Sequence, residues 1–479
     1  MLSDKYEIVM GLEVHAELST NTKIFCNCST EFGGEPNSHC CPVCLALPGA
    51  MPVLNEKVVE YAVKAGLATN CRIPEYCWQD RKNYFYPDMP NAYQISQTNE
   101  FICQDGYIEI ETKEKSKKIR IYEMHIEADA GKLIHDEFDS HSLVDLNRAG
   151  VPLIEIVSEP DLRSSEEVEN YLRNLKAILE YIEVSDCKMQ EGSLRADVNI
   201  SVRKKGATEL GSKVEIKNTN SFKFITKAIN YESKRQIELL ENGEEVISET
   251  VRWDDAKQIT ISMREKDSAA YRPFPDPELM PIILDSAYIE NIRKNLPELP
   301  EVRRKRYITE YGIPEYDAKQ ITASKYLANI FEIASKKSNN PKAISNWIMS
   351  DIARITKEKD IEASEIPFSG EQLGNLVILI DKGTISSAIG KKVLEELFEN
   401  PRDPNTIVEE KGLLQISDEG AIKEIVMKIL EVNPQSIADY KAGKDKALGF
   451  LVGQAMRETK GKANPNMLNK MFLEELNGK

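Results

Sequence analysis

Polar and hydrophobic residues alternate at residues 11–17 (GLEVHAE), which predicts a β-strand. Because successive side chains of a strand point to opposite sides, Glu13, His15 and Glu17 would share one face while the residues between them pack in the core. An antiparallel sheet with one solvated face gives the same alternation. The pattern therefore indicates a functional site only if it recurs with the same polar residues.

The alternation recurs in five further segments. Residues 123–127 (EMHIE) again place a histidine between two glutamates on one face, although the chain has only 5 His. The other four segments are residues 154–156 (IEI), 197–202 (DVNISV), 213–217 (KVEIK) and 260–264 (TISMR). Carboxylates on neighbouring strands repel one another unless a cation lies among them. Oxygen ligands with few nitrogens suit Mg²⁺, which usually binds together with substrate phosphates, so the combined face predicts a magnesium-dependent site.

The hydrophobic periodicity of the whole chain predicts an α+β protein of three domains. Residues 1 to about 295 are strand-rich and contain two predicted helices, one that begins with a capping box at residues 164–167 and one over about residues 222–240. From about residue 296 to 400 the hydrophobic positions recur with the period of a helix. Residues 400–404 (NPRDP) predict a linker, because prolines do not fit a helix interior, and a helical unit of residues 405–479 follows.

The length of 479 residues agrees with several domains, because the chain is too long for a single hydrophobic core. The N-terminus has no basic-then-apolar signal, and no segment approaches the roughly 18 uncharged apolar residues of a membrane span. We therefore expect a cytoplasmic protein that makes no membrane contact.

The net charge of −16 argues against broad affinity for nucleic acids, because phosphate contacts need Lys and Arg. Residues 439–470 nevertheless carry seven Lys or Arg against three Asp or Glu, so this end of the chain could hold RNA. A solvated helical face would have the same composition, and charge alone leaves both interpretations open.

A second set of candidates could bind a nucleotide. Residues 81–88 (RKNYFYPD) join two cations to aromatic residues, and could hold phosphates and stack a base or form a surface loop anchored by aromatic packing. The candidates are Arg81, Lys82, Tyr84 and, in the segment that leads into the strand at residue 197, Arg195, which could meet an anionic transition state. The chain has neither a Walker A sequence nor Gly-x-Gly-x-x-Gly, so ATP chemistry would need a site on a sheet face.

Two cysteine pairs, Cys26-x-Cys28 and Cys41-x-x-Cys44, are separated by twelve residues. Four thiolates suit a tetrahedral Zn²⁺, and disulfides are rare in the cytoplasm. We expect a closed, structural zinc site, for which His39 or Cys40 could compete at the third position. The remaining cysteines, which show no pairing pattern and are expected to pack in the core, are Cys71, Cys77, Cys103 and Cys187.

Several long segments resemble the family of aspartyl/glutamyl-tRNA(Asn/Gln) amidotransferase B subunits. They follow the family's order over nearly the whole chain and include GLEVHAEL, CPVCLALPG, RKNYFYPDMPNAYQISQ, HIEADAGK, DLNRAGVPLIEIVSEPD, EGSLRADVNISV and GFLVGQ. The resemblance implies an antiparallel-sheet cradle domain related in fold to glutamine synthetase catalytic domains. This domain would span residues 1–295 with a zinc-binding insert at 26–44, and would be followed by an all-α domain (296–404) and a small helical tail domain (405–479) that binds tRNA.

The resemblance also implies a ligase reaction. ATP with Mg²⁺ would activate the side-chain carboxylate of Glu-tRNA(Gln) or Asp-tRNA(Asn) as an acyl phosphate, and ammonia would then displace the phosphate to give the amide. The chain contains no recognisable glutaminase nucleophile. Ammonia would therefore come from glutamine hydrolysed by a separate amidase (glutaminase), the A subunit of a heterotrimer that also contains a small C subunit.

The resemblance assigns roles to particular residues of this sequence. The catalytic residues would be Glu13, His15, Glu127, Glu155, Asp197 and Glu215, of which Glu13, His15, Glu127 and Glu155 would be the Mg²⁺ ligands. The tRNA-binding residues of the tail would be Lys441, Lys444, Lys446, Gly449, Gly453, Arg457 and Lys460. One position departs from the family's HxEEDAG motif, because Ala128 stands in place of the second glutamate. If that glutamate is a metal ligand in relatives, then Glu127, Asp129 or water must replace it here, or one ion binds less tightly.

Two other functions are compatible with the residues. The cysteines and the basic tail would also suit a non-catalytic zinc-containing RNA-binding scaffold, in which substitutions of Glu13 or His15 leave function intact. A free-standing ligase for a small carboxylic acid would instead turn over ATP with free glutamate and ammonia, without RNA.

Overall fold

Among the residues that the structure describes, eight strands form one large β-sheet in the N-terminal part of the chain. In chain order the strands are β1 (Tyr6–Glu17), β2 (Tyr76–Cys77), β3 (Asp80–Asn83), β4 (Tyr93–Ser96), β5 (Cys103–Glu111), β6 (Ser116–Ala128), β7 (Lys132–His135), β8 (Ser142–Asp145), β9 (Pro152–Ser158), β10 (Leu194–Lys204), β11 (Val214–Thr219), β12 (Glu249–Asp254), β13 (Ile259–Ser262), β14 (Phe274–Pro275) and β15 (Ile282–Ile283). The large sheet has the order β13-β12-β11-β10-β1-β9-β6-β5. Smaller sheets are formed by β14-β3-β4, by β15-β2 and by β7-β8.

The computed structural model describes residues 5–112, 116–135, 141–219, 221–263, 271–416, 418–444, 446–459 and 461–478. The chain separates into two compact units, Met1–Leu299 and Pro300–Lys479. The domain boundaries at residues 295 and 404 stay predictions. The predicted strand over residues 260–264 corresponds to β13, and its last residue, Arg264, lies outside the described residues.

The described part of the N-terminal unit contains the helices α1 (Glu56–Ala68), α2 (Ser165–Tyr181), α3 (Phe222–Glu241) and α4 (Ser286–Lys294). In β1, Leu12, Val14 and Ala16 are buried, whereas the alternate side chains are only half-buried. These three residues share one hydrophobic core with residues of the first three helices. The helices therefore cover the apolar face of the sheet and leave the polar face for a site.

The large sheet is mixed, not wholly antiparallel as expected. Most neighbouring strands are antiparallel, but β11 and β12 are parallel. Parallel neighbours need a long crossover connection, which is usually a helix. Here α3 lies between the two strands in sequence and makes this connection.

Both predicted helices of the N-terminal unit are present, although the predicted capping box of α2 is only half formed. The Ser164 hydroxyl accepts a hydrogen bond from the backbone N–H of Glu167 (3.2 Å), as expected for an N-cap. The Glu167 carboxylate does not return a bond to Ser164. It accepts instead from the backbone N–H of Arg163 (2.8 Å) and from the ammonium of Lys117 (2.7 Å), which holds it away from the cap.

The C-terminal unit is helical. Its helices are α5 (Pro300–Glu310), α6 (Glu315–Thr322), α7 (Lys325–Ser338), α8 (Pro341–Trp347), α9 (Ala353–Lys359), α10 (Gly370–Asp381), α11 (Ser387–Glu399), α12 (Pro404–Glu410), α13 (Glu419–Val432), α14 (Pro434–Lys441), α15 (Lys446–Glu458) and α16 (Pro465–Gly478). The proline-containing linker falls between α11 and α12, and Asp403 caps α12. None of the helices in the described ranges is long and apolar enough to cross a membrane.

Candidate active site

Two histidines flank one glutamate across three neighbouring strands of the large sheet. In the register of β1, β9 and β6, His15 is opposite Glu155, and Glu155 is opposite His125. The Nε2 atom of His15 lies 3.2 Å from Oε2 of Glu155, and the Nε2 atom of His125 lies 3.4 Å from the same oxygen. The two Glu-His-Glu segments of the sequence therefore meet at Glu155.

Glu127 completes a group that could hold a divalent ion. Its Oε1 atom lies 3.8 Å from Nε2 of His15, and its Oε2 atom lies 3.6 Å from Nε2 of His125. One possible ligand atom each from His15, Glu127 and Glu155 lies within 4.8 Å of the other two. Glu13 is not part of this group, and its Oε1 accepts a hydrogen bond from Asn199 (2.8 Å). The structure thus brings three of the four predicted Mg²⁺ ligands together.

The polar face of the sheet around this group forms an open cavity of about 240 Å³, which we call the carboxylate cavity. It is lined by five carboxylates, three cations and His15, and the charged residues are Glu13, Glu127, Asp129, Glu155, Asp197, Lys82, Arg195 and Lys217. Glu215, predicted to be catalytic, does not line the cavity but contacts Lys217, which does. The Glu215 carboxylate pairs with the ammonium of Lys217 (3.0 Å) and accepts from the hydroxyl of Thr250 (2.9 Å).

The neighbouring carboxylates favour the protonated form of both histidines. Although burial opposes it, the charge of Glu155 and a hydrogen bond with Glu123 raise the pKa of His125 well above its ordinary value. Burial likewise opposes protonation of His15, but the hydrogen bond and charge of Glu155 raise its pKa. The pKa of Glu155 is held well below its usual range by the two histidines, against the effect of burial. A metal ion bound at His15 would replace this proton.

Asp197 is expected to destabilise the metal-free protein at neutral pH. Burial raises the pKa of this carboxyl from 3.8 to about 6, and the nearby Lys217 opposes the shift. Because the folded pKa lies above the unfolded one, ionisation weakens the folded state as the pH rises from about 4 to 6. Asp197→Asn should therefore raise the free energy of unfolding by about 1–3 kcal/mol at pH 7.5, a gain that shrinks below pH 6 and vanishes near pH 4. Urea denaturation across this pH range measures it, and a gain that does not depend on pH would contradict the assignment.

The predicted phosphate ligands separate into two groups. Lys82 and Arg195 line the carboxylate cavity, whereas the structure does not bring Arg81 there. The Arg81 guanidinium donates to the buried carboxylate of Asp276 (Nε–Oδ2 2.7 Å) and lies 4.3 Å from the ring centroid of Tyr93. A buried aspartate needs such a partner, and this competes with a role at the cavity.

Aromatic side chains lie next to Lys82, as the sequence suggested. The ring of Tyr84 is 6.0 Å from that of Tyr271, and the Lys82 ammonium lies 5.0 Å from the Tyr271 centroid. Burial and the carboxylates of Asp88 and Glu127 raise the pKa of Tyr84. Tyr84 is therefore a neutral phenol near the cavity, and base stacking by it stays a prediction.

Ala128 does not face the carboxylate cavity. Since successive residues of β6 point to opposite sides, its side chain lies on the face away from Glu127 and is buried in the hydrophobic core. It lines a separate cavity of about 260 Å³, together with Lys23 and the thiol-bearing Cys26 and Cys44; we call this the insert cavity. A glutamate at position 128 would enter the insert cavity, so its absence leaves the group around Glu155 complete.

Sequence analysis assigned no role to Lys217 or Gln94, and named Asp129 only as a possible replacement for the missing glutamate at position 128. Asp129 and Lys217 continue the two-residue period beyond Glu127 and Glu215, so the alternation could have found them. Asp129 accepts from the guanidinium of Arg195 (2.7 Å), a bond that joins β10 to the end of β6. Gln94, which donates to the Ala128 carbonyl (2.8 Å), lines the cavity from another sheet and gave no signal.

The four predicted zinc ligands lie together. The Sγ atoms of Cys26, Cys28, Cys41 and Cys44 all lie within 4.8 Å of one another. Cys44 Sγ is 3.9 Å from the sulfurs of both Cys28 and Cys41. Tetrahedral Zn–S bonds of about 2.3 Å would separate the sulfurs by roughly 3.8 Å, so the donor set fits a zinc ion. A hydrogen bond with Cys26 lowers the pKa of Cys44 to about 4, and the charge of Lys23 acts in the same direction.

The alternative ligands at the third position are placed differently. Cys40 lies with its Sγ 3.9 Å from Oδ1 of Asn147, and the backbone N–H of His39 donates to the same oxygen (2.8 Å). Cys41, not Cys40 or His39, completes the group of four. The other cysteines, which are buried as expected, are Cys71, Cys77, Cys103 and Cys187.

One face of α15 carries most of the predicted tRNA-binding residues. Lys446, Gly449, Gly453 and Arg457 recur at helical spacing and are exposed. A Cβ atom at either glycine would meet nothing within 4 Å. The other candidates are Lys441, exposed at the end of α14, Lys444, whose ammonium lies 3.0 Å from Asp439, and Lys460, which lies outside the described residues.

Comparison with known proteins identifies the family. Residues 8–290 match the GatB/GatE catalytic domain, and residues 329–476 match the GatB domain. The first match includes all residues that line the carboxylate cavity and the four cysteines, and the second includes α15. Both parts of the chain that carry candidate sites therefore have counterparts in known families.

Curated relatives match almost the whole chain. A protein from Caldicellulosiruptor bescii is 59% identical over 476 residues, one from Thermoanaerobacter pseudethanolicus is 58% identical over 473, and one from Clostridium botulinum is 56% identical over 474. Each alignment covers 98% of this chain and 99% of the relative. All three relatives are named as B subunits of aspartyl/glutamyl-tRNA(Asn/Gln) amidotransferase. This chain belongs to the family of aspartyl/glutamyl-tRNA(Asn/Gln) amidotransferase B subunits.

Proposed function

We propose that this chain uses ATP to activate the side-chain carboxylate of Glu-tRNA(Gln) or Asp-tRNA(Asn), and then forms the amide with ammonia. The observation that carries the proposal is the carboxylate cavity, where acidic and basic side chains converge on one sheet face in a protein of this family. Such a mixture suits the joining of two anions, a triphosphate and a carboxylate, which repel each other in water.

The acidic side of the cavity would hold Mg²⁺. His15, Glu127 and Glu155 offer ligand atoms close together, and Glu13 lies in the same cavity. When bound, Mg²⁺ would neutralise phosphate charge and orient the γ-phosphoryl group toward the attacking carboxylate. His125 would help to orient the Glu155 carboxylate, because its imidazole contacts both Glu123 (2.8 Å) and Glu155 (3.4 Å).

The basic side of the cavity would bind the substrate anions. Arg195 donates from one terminal nitrogen to Asp129, while its buried Nε has no hydrogen-bond partner within the part of the chain that the structure describes. The bond to Asp129 holds the guanidinium in place, and the unsatisfied Nε–H could donate to an oxyanion of the substrate. Lys82 and Lys217 would add positive charge for the acyl phosphate and the departing phosphate.

Ammonia would come from a partner protein. The relatives are named as B subunits, which supports an enzyme of several different chains. We propose a heterotrimer in which an amidase, the A subunit, hydrolyses glutamine and a small C subunit completes the assembly. The chain itself lacks a recognisable nucleophile for glutamine hydrolysis, which supports this division of labour.

The tail would bind the tRNA through the exposed face of α15. Glycine within an exposed helix costs about 1 kcal/mol relative to alanine, so two glycines four residues apart need a reason. Close approach of a nucleic-acid backbone would supply one, and Lys446 and Arg457 on the same face would contact phosphates.

The four cysteines would hold a structural Zn²⁺ that cross-links residues 26–44.

Nucleotide hydrolysis by the assembled enzyme tests the proposal. The chain is purified together with its partner proteins, and ADP release from Mg-ATP is measured with Glu-tRNA(Gln), with Asp-tRNA(Asn), with uncharged tRNA, and with free glutamate plus ammonia. We expect release only with the aminoacylated tRNA. No release with Glu-tRNA(Gln) or Asp-tRNA(Asn) would overturn the proposal, as would equal turnover of free glutamate and ammonia without RNA.

A further inference from the structure

Lys23 is a fully buried lysine next to the cysteine cluster. Its relative exposure is 0%, and its side chain lines the insert cavity with Cys26 and Cys44. Its backbone N–H donates to the Cys28 carbonyl (3.0 Å), so the residue lies against the first cysteine pair. Its ammonium donates to the Leu146 carbonyl (3.2 Å). Its charge acts on the cluster, because it contributes to the lowered pKa of Cys44 in the same cavity.

The buried positive charge of Lys23 needs a negatively charged group nearby. Within the described ranges, no carboxylate forms an ion pair with Lys23, and its hydrogen-bond acceptor is a neutral carbonyl. Asp129 lines the same cavity, but its carboxylate pairs with Arg195 (2.7 Å) and Arg148 (3.5 Å). Removing a charge from water without a counter-charge is strongly unfavourable. A buried ammonium therefore requires a nearby anion.

Four thiolates around one divalent ion supply such a charge. The four sulfurs are each −1 and Zn²⁺ is +2, so the bound centre carries a net charge of about −2. We propose that Lys23 is the charge-compensating residue of the four-cysteine metal site, where its ammonium stabilises the metal-bound tetrathiolate. The inference rests on the proposed zinc site and adds a residue that is not a ligand.

The proposal predicts a larger effect in the metal-bound state than in the metal-free state. Without metal, a hydrogen bond with Cys26 lowers the pKa of Cys44 whereas burial raises the pKa of Cys28, so the cluster carries less negative charge than a bound tetrathiolate, and Lys23→Met should change the metal-free thermal midpoint little. With Zn²⁺ bound, the same change removes the counter-charge and should weaken binding. Outer-sphere partners of metal ligands typically change metal affinity by 10- to 100-fold.

Zinc affinity of the full-length chain tests this inference, measured by competition with a chromogenic chelator and by the thermal midpoint with and without Zn²⁺. We expect Lys23→Met to weaken zinc binding by about 10-fold or more and to shrink the zinc-induced rise in midpoint. Lys23→Arg should bind zinc nearly as the wild type does. Lys57→Met, which removes an exposed lysine paired with Glu60, is the matched control and should change neither quantity.

Three outcomes would overturn the inference. Lys23→Met could bind zinc with wild-type affinity, Lys23→Arg could weaken it as much as Lys23→Met does, or metal-free Lys23→Met could fail to fold. If the wild-type chain does not bind zinc, the proposed zinc site itself is contradicted, and the proposed role of Lys23 is contradicted with it. The wild-type measurement therefore distinguishes the two failures.

Discussion

Glu155→Gln should lower the rate of tRNA-dependent ADP release by about 10²- to 10³-fold. The carboxylate of Glu155 lies 3.2 Å from His15 and 3.4 Å from His125, and its pKa is held far below its usual range. Glutamine has nearly the same shape but no charge, so the substitution removes the central anion of the proposed Mg²⁺ group. Steady-state ADP release by the assembled enzyme, measured at several Mg²⁺ concentrations, gives the effect.

The Mg²⁺ dependence separates this role from a structural one. If Glu155 is a ligand, the variant should need a much higher Mg²⁺ concentration for half-maximal activity. Glu109→Gln is the matched control, since Glu109 lies on β5 of the same sheet and pairs with the exposed Lys118 (3.6 Å). Full activity of Glu155→Gln at the wild-type Mg²⁺ requirement would contradict its assignment.

Arg195→Lys should lower kcat by about 10²-fold while the variant remains folded. Arg195 combines a bond to Asp129 with an Nε donor that no described residue satisfies. Lysine keeps the charge but has a single compact ammonium, which cannot offer two fixed donors in one plane to Asp129 and an oxyanion. Single-turnover formation of the activated aminoacyl-tRNA measures the loss at the phosphoryl-transfer step.

Another arginine of the same strand controls for general effects on β10. Arg203 lies toward the far end of the strand and donates to the carboxylate of Glu7 (2.8 Å). Arg203→Lys should leave kcat within about twofold of the wild type. A similar loss in both variants would show that the effect of Arg195→Lys comes through the strand and not through the cavity.

The polar face of the sheet was predictable from the sequence because alternation fixes the side of each side chain. Glu13, His15, Glu127, Glu155 and Asp197 all line one cavity, as the repeated pattern indicated. The spacing of the cysteines likewise predicted the group that the structure brings together. In both cases the signal is local, since it depends on the period of a strand or on a short loop.

Other features depend on contacts distant in sequence and could not be predicted. Arg81 occurs in a segment that suggested phosphate binding, but a buried carboxylate 195 positions away, Asp276, accepts its hydrogen bond. The parallel pairing of β11 and β12 follows from the crossover through α3, which alternation does not reveal. Gln94 reaches the cavity from a separate sheet. Alternation assigns residues to a face, whereas tertiary packing decides which neighbours they meet.

Anomalous X-ray scattering from Mn²⁺ tests the central claim most directly. Crystals of the assembled enzyme with Mn²⁺ and a nucleotide are measured near the manganese edge, with Mn²⁺ replacing Mg²⁺ at the same oxygen ligands. We predict an anomalous peak within bonding distance of His15, Glu127 and Glu155, with a phosphate oxygen of the nucleotide beside it. A nucleotide bound elsewhere, or a peak away from these three side chains, would contradict the claim that this sheet face joins ATP to the acyl carboxylate.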